Sequence, residues 1–255
     1  MKEKARNLFY KIWYWYISTI DKDAEVVFMN FGFSNNNEKM ELKKEDEKNR
    51  YSAQLYNLIA TGVDIEGKNI LEVGCGRGGG ISFLNRYFLP NSVTGVDLNK
   101  KAIKFCKKHY PEKSNTFLQA NAQSLPFSDN SYDVVINIES SHRYPQPELF
   151  FSEVFRVLNP GGYFLFADFR NDKEIDRLES QLKNTKFQVE KKQDITSHVV
   201  EALKLVTPDR EILINKILPG FLQSLGKTFA ATEGSSTYNK FTKREFEYVF
   251  YVLMK

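Results

Sequence analysis

The stretch Lys68-Asn-Ile-Leu-Glu-Val-Gly-Cys-Gly-Arg-Gly-Gly-Gly80 decides the fold class of this sequence. Its apolar run from Ile70 to Val73 is long enough for a buried strand and too short for a helix. Five of the next seven residues are glycine, and an apolar helical pattern begins at Ile81. A strand, a glycine turn and a helix together present bare backbone N–H groups to a ligand, which can approach closer than any Cβ would allow. The stretch therefore predicts the first strand and the ligand-binding turn of an α/β sheet.

Two carboxylates indicate what kind of ligand this turn binds. Asp97 ends the next apolar run, at the tip of a second strand, where a carboxylate can accept both ribose hydroxyls of a nucleoside. Glu72 lies two residues before Gly74, the first glycine. A carboxylate there would repel a pyrophosphate, although the glycine spacing also fits the dinucleotide fingerprint. It is acceptable beside a ligand that carries a positive charge, so an NAD-dependent dehydrogenase is the less favoured alternative.

Strand and helix patterns alternate from this turn to about residue 191. The predicted strands are 69–73, 92–97, 115–120, 132–138, 162–168 and 186–191, with a last strand at 245–253. The predicted helices between them are 81–89, 100–109, 147–158 and 172–183. Such alternation predicts a doubly wound α/β fold, with a mostly parallel, seven-stranded sheet and right-handed crossovers.

The patterns also divide the chain into four regions. We expect an N-terminal helical cap and lid at 1–60, a cofactor-binding core at 61–194, a helical insertion at 195–241 and the last strand of the core sheet at 242–255. Within the insertion, 195–206 and 209–218 are predicted as two helices with Pro208 just before the second, and 230–239 as a loop of small residues. An insertion at this point would cover the carboxyl edge of the sheet, where ligands bind in open α/β folds.

The composition limits the class of protein. Hydrophobic residues make up 42% and charged residues 27% of the 255 residues, as in ordinary globular proteins. A net charge of +4 is far from the basic footprint of a nucleic-acid-binding protein. The two cysteines, Cys75 and Cys106, form neither a disulfide framework nor a zinc pattern. The absence of a long apolar span and of a cleavable leader argues for the cytoplasm.

Aromatic residues are frequent near the N-terminus. Both tryptophans and three tyrosines lie in residues 8–17, Leu-Phe-Tyr-Lys-Ile-Trp-Tyr-Trp-Tyr-Ile. One interpretation is a helix that packs on the core or covers the active site, and the other is peripheral contact with a membrane surface. The polar, charged residues 34–50 are predicted as a solvated loop.

Several motifs resemble the class I S-adenosylmethionine-dependent methyltransferases, a family with a Rossmann-like fold. Glu72-x-Gly-x-Gly-x-Gly78 resembles their motif I and Gly95-Val-Asp-Leu98 their motif II, while Asn121-Ala-Gln-Ser-Leu-Pro-Phe127 resembles the segment that contacts adenine. The amides Asn121 and Gln123 stand where carboxylates are common. The resemblance implies S-adenosylmethionine as cofactor. The cofactor-binding residues that follow from it are Glu72, Gly74, Cys75, Gly76, Asp97, Leu98, Asn121, Ala122, Gln123 and Ile138.

Further short motifs look similar to the phthiotriolone/phenolphthiotriolone dimycocerosate methyltransferases, which O-methylate a long-chain lipid alcohol. These motifs are Phe28-Met-Asn-Phe-Gly-Phe33, Glu139-Ser-Ser-His-Arg-Tyr144, Asp194–Leu203 and Gly234–Phe241. The resemblance implies a small-molecule or lipid-like acceptor, bound near Phe31, Phe33, Tyr144 and Tyr238. The loop after the fourth strand also lacks the Asn/Asp-Pro-Pro-aromatic sequence of enzymes that methylate bases, which argues against a nucleic-acid substrate.

His142 and Glu139 are the candidate catalytic residues. His142 follows the fourth predicted strand, at the mouth of the expected site, where an imidazole can accept the proton of an attacking hydroxyl. Glu139 would orient His142, bind the cofactor or cap the loop. No second ligand stands at metal-binding spacing from His142, so we expect no metal.

These observations predict an S-adenosylmethionine-dependent methyltransferase, with O-methylation preferred. The alternatives are C-methylation of a sterol- or quinone-like substrate, an NAD-dependent dehydrogenase, and a non-catalytic nucleoside-binding or membrane-associated module. The sequence carries no signal for an oligomeric state.

Overall fold

The computed structural model describes residues 16, 19–21, 24–35, 40–112 and 115–255. Seven strands form one sheet in the order β3-β2-β1-β4-β5-β7-β6. The strands are β1 (Asn69–Val73), β2 (Ser92–Asp97), β3 (Asn115–Gln119), β4 (Tyr132–Ile138), β5 (Leu158–Asn171), β6 (Gln188–Asp194) and β7 (Phe246–Met254). The first five run parallel, and β7 inserts antiparallel between β5 and β6. The predicted fold class is confirmed.

Helices connect and cover these strands. They are α1 (Arg50–Ala60), α2 (Gly79–Phe88), α3 (Lys100–His109), α4 (Pro147–Val157), α5 (Asp172–Lys183), α6 (Thr196–Ile217), α7 (Gly220–Phe229) and α8 (Ser236–Thr242), with a 3₁₀ helix at Lys44–Asn49. Local interactions determine where several of these helices begin. Asn99 caps α3 by accepting from Lys101 N at 3.0 Å, and Pro147 opens α4, where the missing N–H costs nothing.

Apolar side chains on the two faces of the sheet build two cores. Along β5, Leu165 and Ala167 enter one core, while Phe164 and Phe166 enter the other. This alternation follows from the two-residue period of a strand. Because both faces are buried, the ligand-binding groups collect at the carboxyl edge of the parallel strands.

The helical insertion differs from the prediction. Residues 196–217 form one helix that contains Pro208, rather than two helices. Proline removes one helical hydrogen bond, but Pro208 and Lys204 both lie on the exposed face, where water can reach the Lys204 carbonyl that loses its donor. The predicted loop at 230–239 also ends inside α8, which Ser235 caps.

The predicted solvated loop at 34–50 is only partly correct. Asp46 is buried, and its carboxylate accepts from Arg86 and, at 2.7 Å, from the Tyr87 hydroxyl. Because these partners lie 40 and 41 residues further along the chain, the local sequence does not reveal them.

The described N-terminal residues lie against the insertion. Tyr16, Ile20 and Val26 pack on Ile214 of α6 and on Leu218 just after it, in a third apolar cluster. The aromatic stretch 8–17 lies outside the described residues except for Tyr16. Within the described ranges, no helix has the length and apolarity to cross a membrane. The four-region division stays a prediction.

Candidate active site

The glycine turn after β1 is held against the end of β2. Gly74, Gly76 and Gly78 have φ angles of +80°, +52° and +78°, a region that favours glycine. The Gly74 and Cys75 N–H groups donate to the Val96 carbonyl at 2.8 and 3.0 Å. A Cβ added to Gly74 would lie 2.3 Å from Ser140 Oγ. The turn therefore needs glycine both for its conformation and for close approach.

Glu72 provides a test of whether the site fits S-adenosylmethionine. Its side chain is buried, and Oε1 accepts from the Tyr56 hydroxyl at 2.6 Å. Oε2 is also buried, and no hydrogen-bond partner for it occurs among the described residues. Burial raises the pKa of this carboxyl to about 7. A buried acceptor that lacks a partner, beside a turn of bare backbone, fits the ammonium of that cofactor.

The other predicted cofactor residues lie along the same carboxyl edge. Asp97 accepts from the Gly76 N–H at 2.9 Å and from the Asn99 N–H at 2.7 Å. Burial raises the pKa of Asp97, and these backbone donors oppose that shift. Leu98 is 56% exposed, Asn121 is exposed, and Ala122 and Ile138 are buried. Asn121 Oδ1 accepts from the Gln123 N–H at 3.1 Å, which shapes the turn after β3.

His142, which follows the carboxyl end of β4, is held by Asp168 of the neighbouring strand β5. The His142 Nδ1 lies 2.7 Å from Asp168 Oδ1, and the His142 N–H donates to Oδ2 at 3.0 Å. Asp168 also pairs with Arg170 at 3.0 Å. Although burial opposes the shift, His142, Arg170 and Ser141 together hold the pKa of Asp168 well below its usual range. Asp168 is therefore a carboxylate that fixes the ring and its Nδ1–H tautomer.

The outer ring nitrogen of His142 faces Arg143. Arg143 Nε donates to His142 Nε2 at 2.9 Å, and its guanidinium lies 5.5 Å from the centre of the Phe229 ring of α7. Burial lowers the pKa of His142, while Asp168 opposes that shift. The imidazole is thus neutral near pH 7, with Nε2 as its acceptor atom.

Glu139 does not hold His142. Its backbone φ is +48°, which is rare outside glycine, and Oε1 accepts from the Phe31 N–H at 2.7 Å and the Tyr248 hydroxyl at 3.1 Å. Burial raises the pKa of Glu139 to about 8. Of the three roles considered for Glu139, orienting His142 is wrong, because Asp168 makes that contact. Asp168 is the last residue of the predicted strand 162–168, as Asp97 is of 92–97, and this signal could have found it in the sequence, although β5 itself continues to Asn171.

The residues predicted to contact the methyl acceptor separate into two groups. Phe31 packs on Phe169 at 5.3 Å between ring centres, and Phe169 lies 4.4 Å from the His142 ring. The Tyr144 hydroxyl lies 2.5 Å from Ser140 Oγ, above Gly74. Phe33 is buried against His198, and Tyr238 is buried in the same core. Phe31 and Tyr144 therefore lie near the site, whereas Phe33 and Tyr238 support the fold.

Residues 24–35, which we call the N-terminal segment, lie over the glycine turn. The Val27 carbonyl accepts from the Gly79 N–H at 3.3 Å, at the start of α2. On the other side, Arg210 of α6 donates to the Asn30 and Phe31 carbonyls at 2.9 and 3.2 Å. Just before the segment, Asp21 pairs with Arg77 of the turn at 2.9 Å. The segment therefore connects the turn, Glu139 and the insertion. Within the described part of the chain, no group of three or more metal-ligating side chains occurs.

Known proteins resemble this chain in sequence and in fold. The methyltransferase domain family matches residues 71–166. The fatty-acid O-methyltransferase of Mycolicibacterium smegmatis is 38% identical over 99% of this chain and 90% of its own length. The phthiotriol/phenolphthiotriol dimycocerosates methyltransferase of Mycobacterium tuberculosis is 37% identical over 98% of this chain and 94% of its own length. Geranyl diphosphate C-methyltransferase from Streptomyces coelicolor, solved with S-adenosyl-L-homocysteine, has a TM-score of 0.67 over 92% of this chain and 94% of that one, at 15% identity. At that identity the likeness concerns the fold alone.

Proposed function

Because this chain belongs to the S-adenosylmethionine-dependent methyltransferases, we propose that it transfers the cofactor's methyl group to a hydroxyl oxygen of a lipid-like acceptor. The family and the cofactor predicted from the sequence motifs are confirmed. The acceptor class is taken from the names of the two related enzymes, one of which acts on fatty acids and the other on phthiotriols.

The pair of His142 and Asp168 is the observation that favours a hydroxyl, rather than a carboxylate, as the methyl acceptor. A hydroxyl must lose its proton as its oxygen attacks, whereas a fatty-acid carboxylate is already ionised near pH 7. His142 Nε2 is the acceptor atom for that proton, once Arg143 turns away from it. Asp168 then stabilises the imidazolium through the 2.7 Å contact to Nδ1. A carboxylate acceptor would need neither group.

The cofactor supplies a methyl group activated by a positively charged sulfur. In the proposal, Glu72 binds its ammonium, Gly74 and Gly76 allow close backbone approach, and Asp97 accepts from its ribose. The residues proposed around the adenine and the remaining edge are Cys75, Leu98, Asn121, Ala122, Gln123 and Ile138. Alignment of acceptor and methyl can lower the barrier by up to about 7–11 kcal/mol, so these contacts supply rate as well as affinity.

We also propose that residues 8–17 contact a membrane surface, where a lipid-like acceptor would be found. The Trp and Tyr content of this stretch supports the proposal, because such rings prefer an interface that is apolar on one side and wet on the other. Sedimentation of the full chain with anionic vesicles measures this contact.

Substitution of His142 tests the proposed function. With a long-chain alcohol as acceptor, His142→Ala and His142→Gln should both lower kcat by roughly 10²–10⁴-fold, because neither side chain can take the proton. Affinity for S-adenosylhomocysteine should stay unchanged in calorimetry, and His109→Ala, at an exposed position, should behave like the native enzyme. Mass spectrometry and NMR of the product distinguish O- from C-methylation.

Two outcomes would contradict the proposal. One is a His142→Ala enzyme within about fivefold of native turnover on every alcohol, under conditions where chemistry limits the rate. The other is turnover of fatty acids alone, unaffected by the substitution, which would identify a carboxylate as the acceptor.

A further inference from the structure

We propose that Glu139 recognises the positive charge on the cofactor's sulfonium and couples that charge to closure of the N-terminal segment. The inference rests on the cofactor of the family and on the contacts of Glu139. It does not depend on which acceptor is methylated.

The position of Glu139 supports this role. It follows β4, which lies beside β1, and Glu72 pairs with Ile136 across these two strands. Glu139 lies near Tyr56, which binds Glu72, and its own pKa is raised first by burial and then by the charge of Asp168. Glu139 therefore lies close both to Tyr56, the partner of Glu72, and to Asp168, the partner of His142. The sulfonium would lie between those two sites, because a short carbon chain joins it to the ammonium and its methyl group must face the acceptor.

The contacts of Glu139 connect it to the N-terminal segment. The Phe31 N–H donates to Glu139 Oε1 at 2.7 Å, and Tyr248 donates to the same oxygen. A hydrogen bond to a carboxylate is roughly twice as strong as one to a neutral group. The segment is therefore held more firmly when Glu139 is ionised than when it is protonated.

The reaction itself changes the charge that Glu139 meets. The cofactor sulfur is a cation before methyl transfer and a neutral thioether after it. Glu139 is surrounded by Tyr248 from β7, Asp168 from β5, Tyr56 from α1 and Arg210 from α6, and of these only Arg210 favours its ionised form by charge. With a pKa of about 8, Glu139 is mostly protonated at pH 7 without cofactor.

Binding of the charged cofactor favours the Glu139 anion, so one proton leaves to solvent and the segment closes. Transfer of the methyl removes the cation, and Glu139 takes a proton back. The bond to Phe31 weakens, and the segment opens to release the neutral product. This sequence gives the enzyme a preference for substrate cofactor over product.

Calorimetry with two ligands separates this role from general cofactor binding. Glu139→Gln should weaken S-adenosylmethionine binding by about ten- to a hundredfold, the range expected for loss of one charged contact. It should change S-adenosylhomocysteine binding by less than about threefold, because that ligand lacks the sulfonium. Glu72→Gln is the matched control. Both ligands carry the ammonium, so this variant should weaken both by the same factor.

Proton release gives a second readout. At pH 7, titrations in two buffers of different ionisation enthalpy should show that S-adenosylmethionine releases more protons than S-adenosylhomocysteine. The sign follows from the raised pKa, because below pH 8 binding of the cation must expel the proton, and above pH 8 no proton remains to be expelled. In Glu139→Gln the two ligands should release equal numbers of protons.

Hydrogen exchange tests the coupling to the segment. Amides of residues 24–35 should exchange more slowly with S-adenosylmethionine than with S-adenosylhomocysteine, and this difference should vanish in Glu139→Gln. Helix α3 serves as an internal control that neither ligand should protect differently. The proposal is overturned if Glu139→Gln weakens both ligands equally, if the native protein releases equal protons with both, or if residues 24–35 are protected equally by both.

Discussion

Removal of Asp21 should destabilise the protein and loosen the glycine turn. Asp21 and Arg77 form an ion pair in which both side chains are buried, with 1% of the Asp21 side chain and 0% of the Arg77 side chain exposed. Arg77 Nη2 also donates to the Asp21 carbonyl at 3.1 Å, and its guanidinium lies 3.8 Å from the centre of the Phe105 ring. The described residues offer no hydrogen-bond partner to Arg77 Nε or Nη1. Asp21→Ala therefore leaves a buried cation without its counter-charge.

The expected magnitude follows from that loss. Breaking a buried pair by removing one partner costs about 3–5 kcal/mol. For a chain of this length, each kcal/mol shifts Tm by about 2–4 °C, so the shift should be about 6–20 °C. Asp21 also accepts from the Glu25 and Val26 N–H groups at 3.0 and 2.9 Å, so the start of the N-terminal segment should loosen as well.

A double-mutant cycle checks that the cause is the unpaired charge. Arg77→Met keeps an apolar contact with Phe105. In the double variant both charges are absent, so no buried charge is left without a partner. Urea unfolding should therefore show the double variant more stable than the sum of the single effects predicts, by about 2 kcal/mol or more. Lys216→Ala is the matched control. It breaks an exposed pair with Glu25, in the same part of the chain, and should leave Tm nearly unchanged.

Strictly additive effects in the cycle would show that the unpaired charge is not the cause. An Asp21→Ala protein whose Tm stays within about 2 °C of native would show the same, since that shift corresponds to no more than about 1 kcal/mol. Limited proteolysis of the same variant shows whether the chain relieves the charge locally. Cleavage near residues 21–26 at an unchanged Tm would mean that water reaches Arg77 through a detached segment.

Two further predictions concern the cofactor and the membrane. Asp97→Ala should weaken S-adenosylhomocysteine binding by at least about tenfold in calorimetry, because a hydrogen bond to a charged group contributes about 1.5–3 kcal/mol, and unchanged affinity would remove Asp97 from the site. The full chain should sediment with anionic vesicles while a Trp13→Ser/Trp15→Ser variant stays in the supernatant, and equal pelleting of both would show that this stretch makes no such contact.

Much of the proposed cofactor site is local in sequence. The run from Ile70 to Gly80 contains most of the strand, the turn and the start of the helix. Asp97 is the last residue of the next strand. Periodicity and glycine spacing report such features because each depends on neighbouring residues. The strand limits predicted for β1, β2 and β4 agree with the structure for the same reason.

The insertion shows where local signals fail. Pro208 marks a helix start by its usual preference, yet α6 continues through it, because packing of Val199, Leu203 and Ile214 stabilises the helix on both sides. The free-energy cost of one proline inside a helix is smaller than the free energy gained by burying three apolar side chains. The sequence could not weigh these two effects without the tertiary contacts.

The sequence alone determined the fold class, the family and the cofactor, because these rest on short-range patterns of apolar residues, glycines and strand-end carboxylates. Only the tertiary structure decided the partners of the reactive groups. It assigned Asp168 rather than Glu139 to His142, and it placed the Phe31 N–H on Glu139 across 108 residues of chain. Such contacts depend on which strand ends meet at one edge and which segment folds over them. No local periodicity encodes that choice, because it is made by the packing of the whole chain.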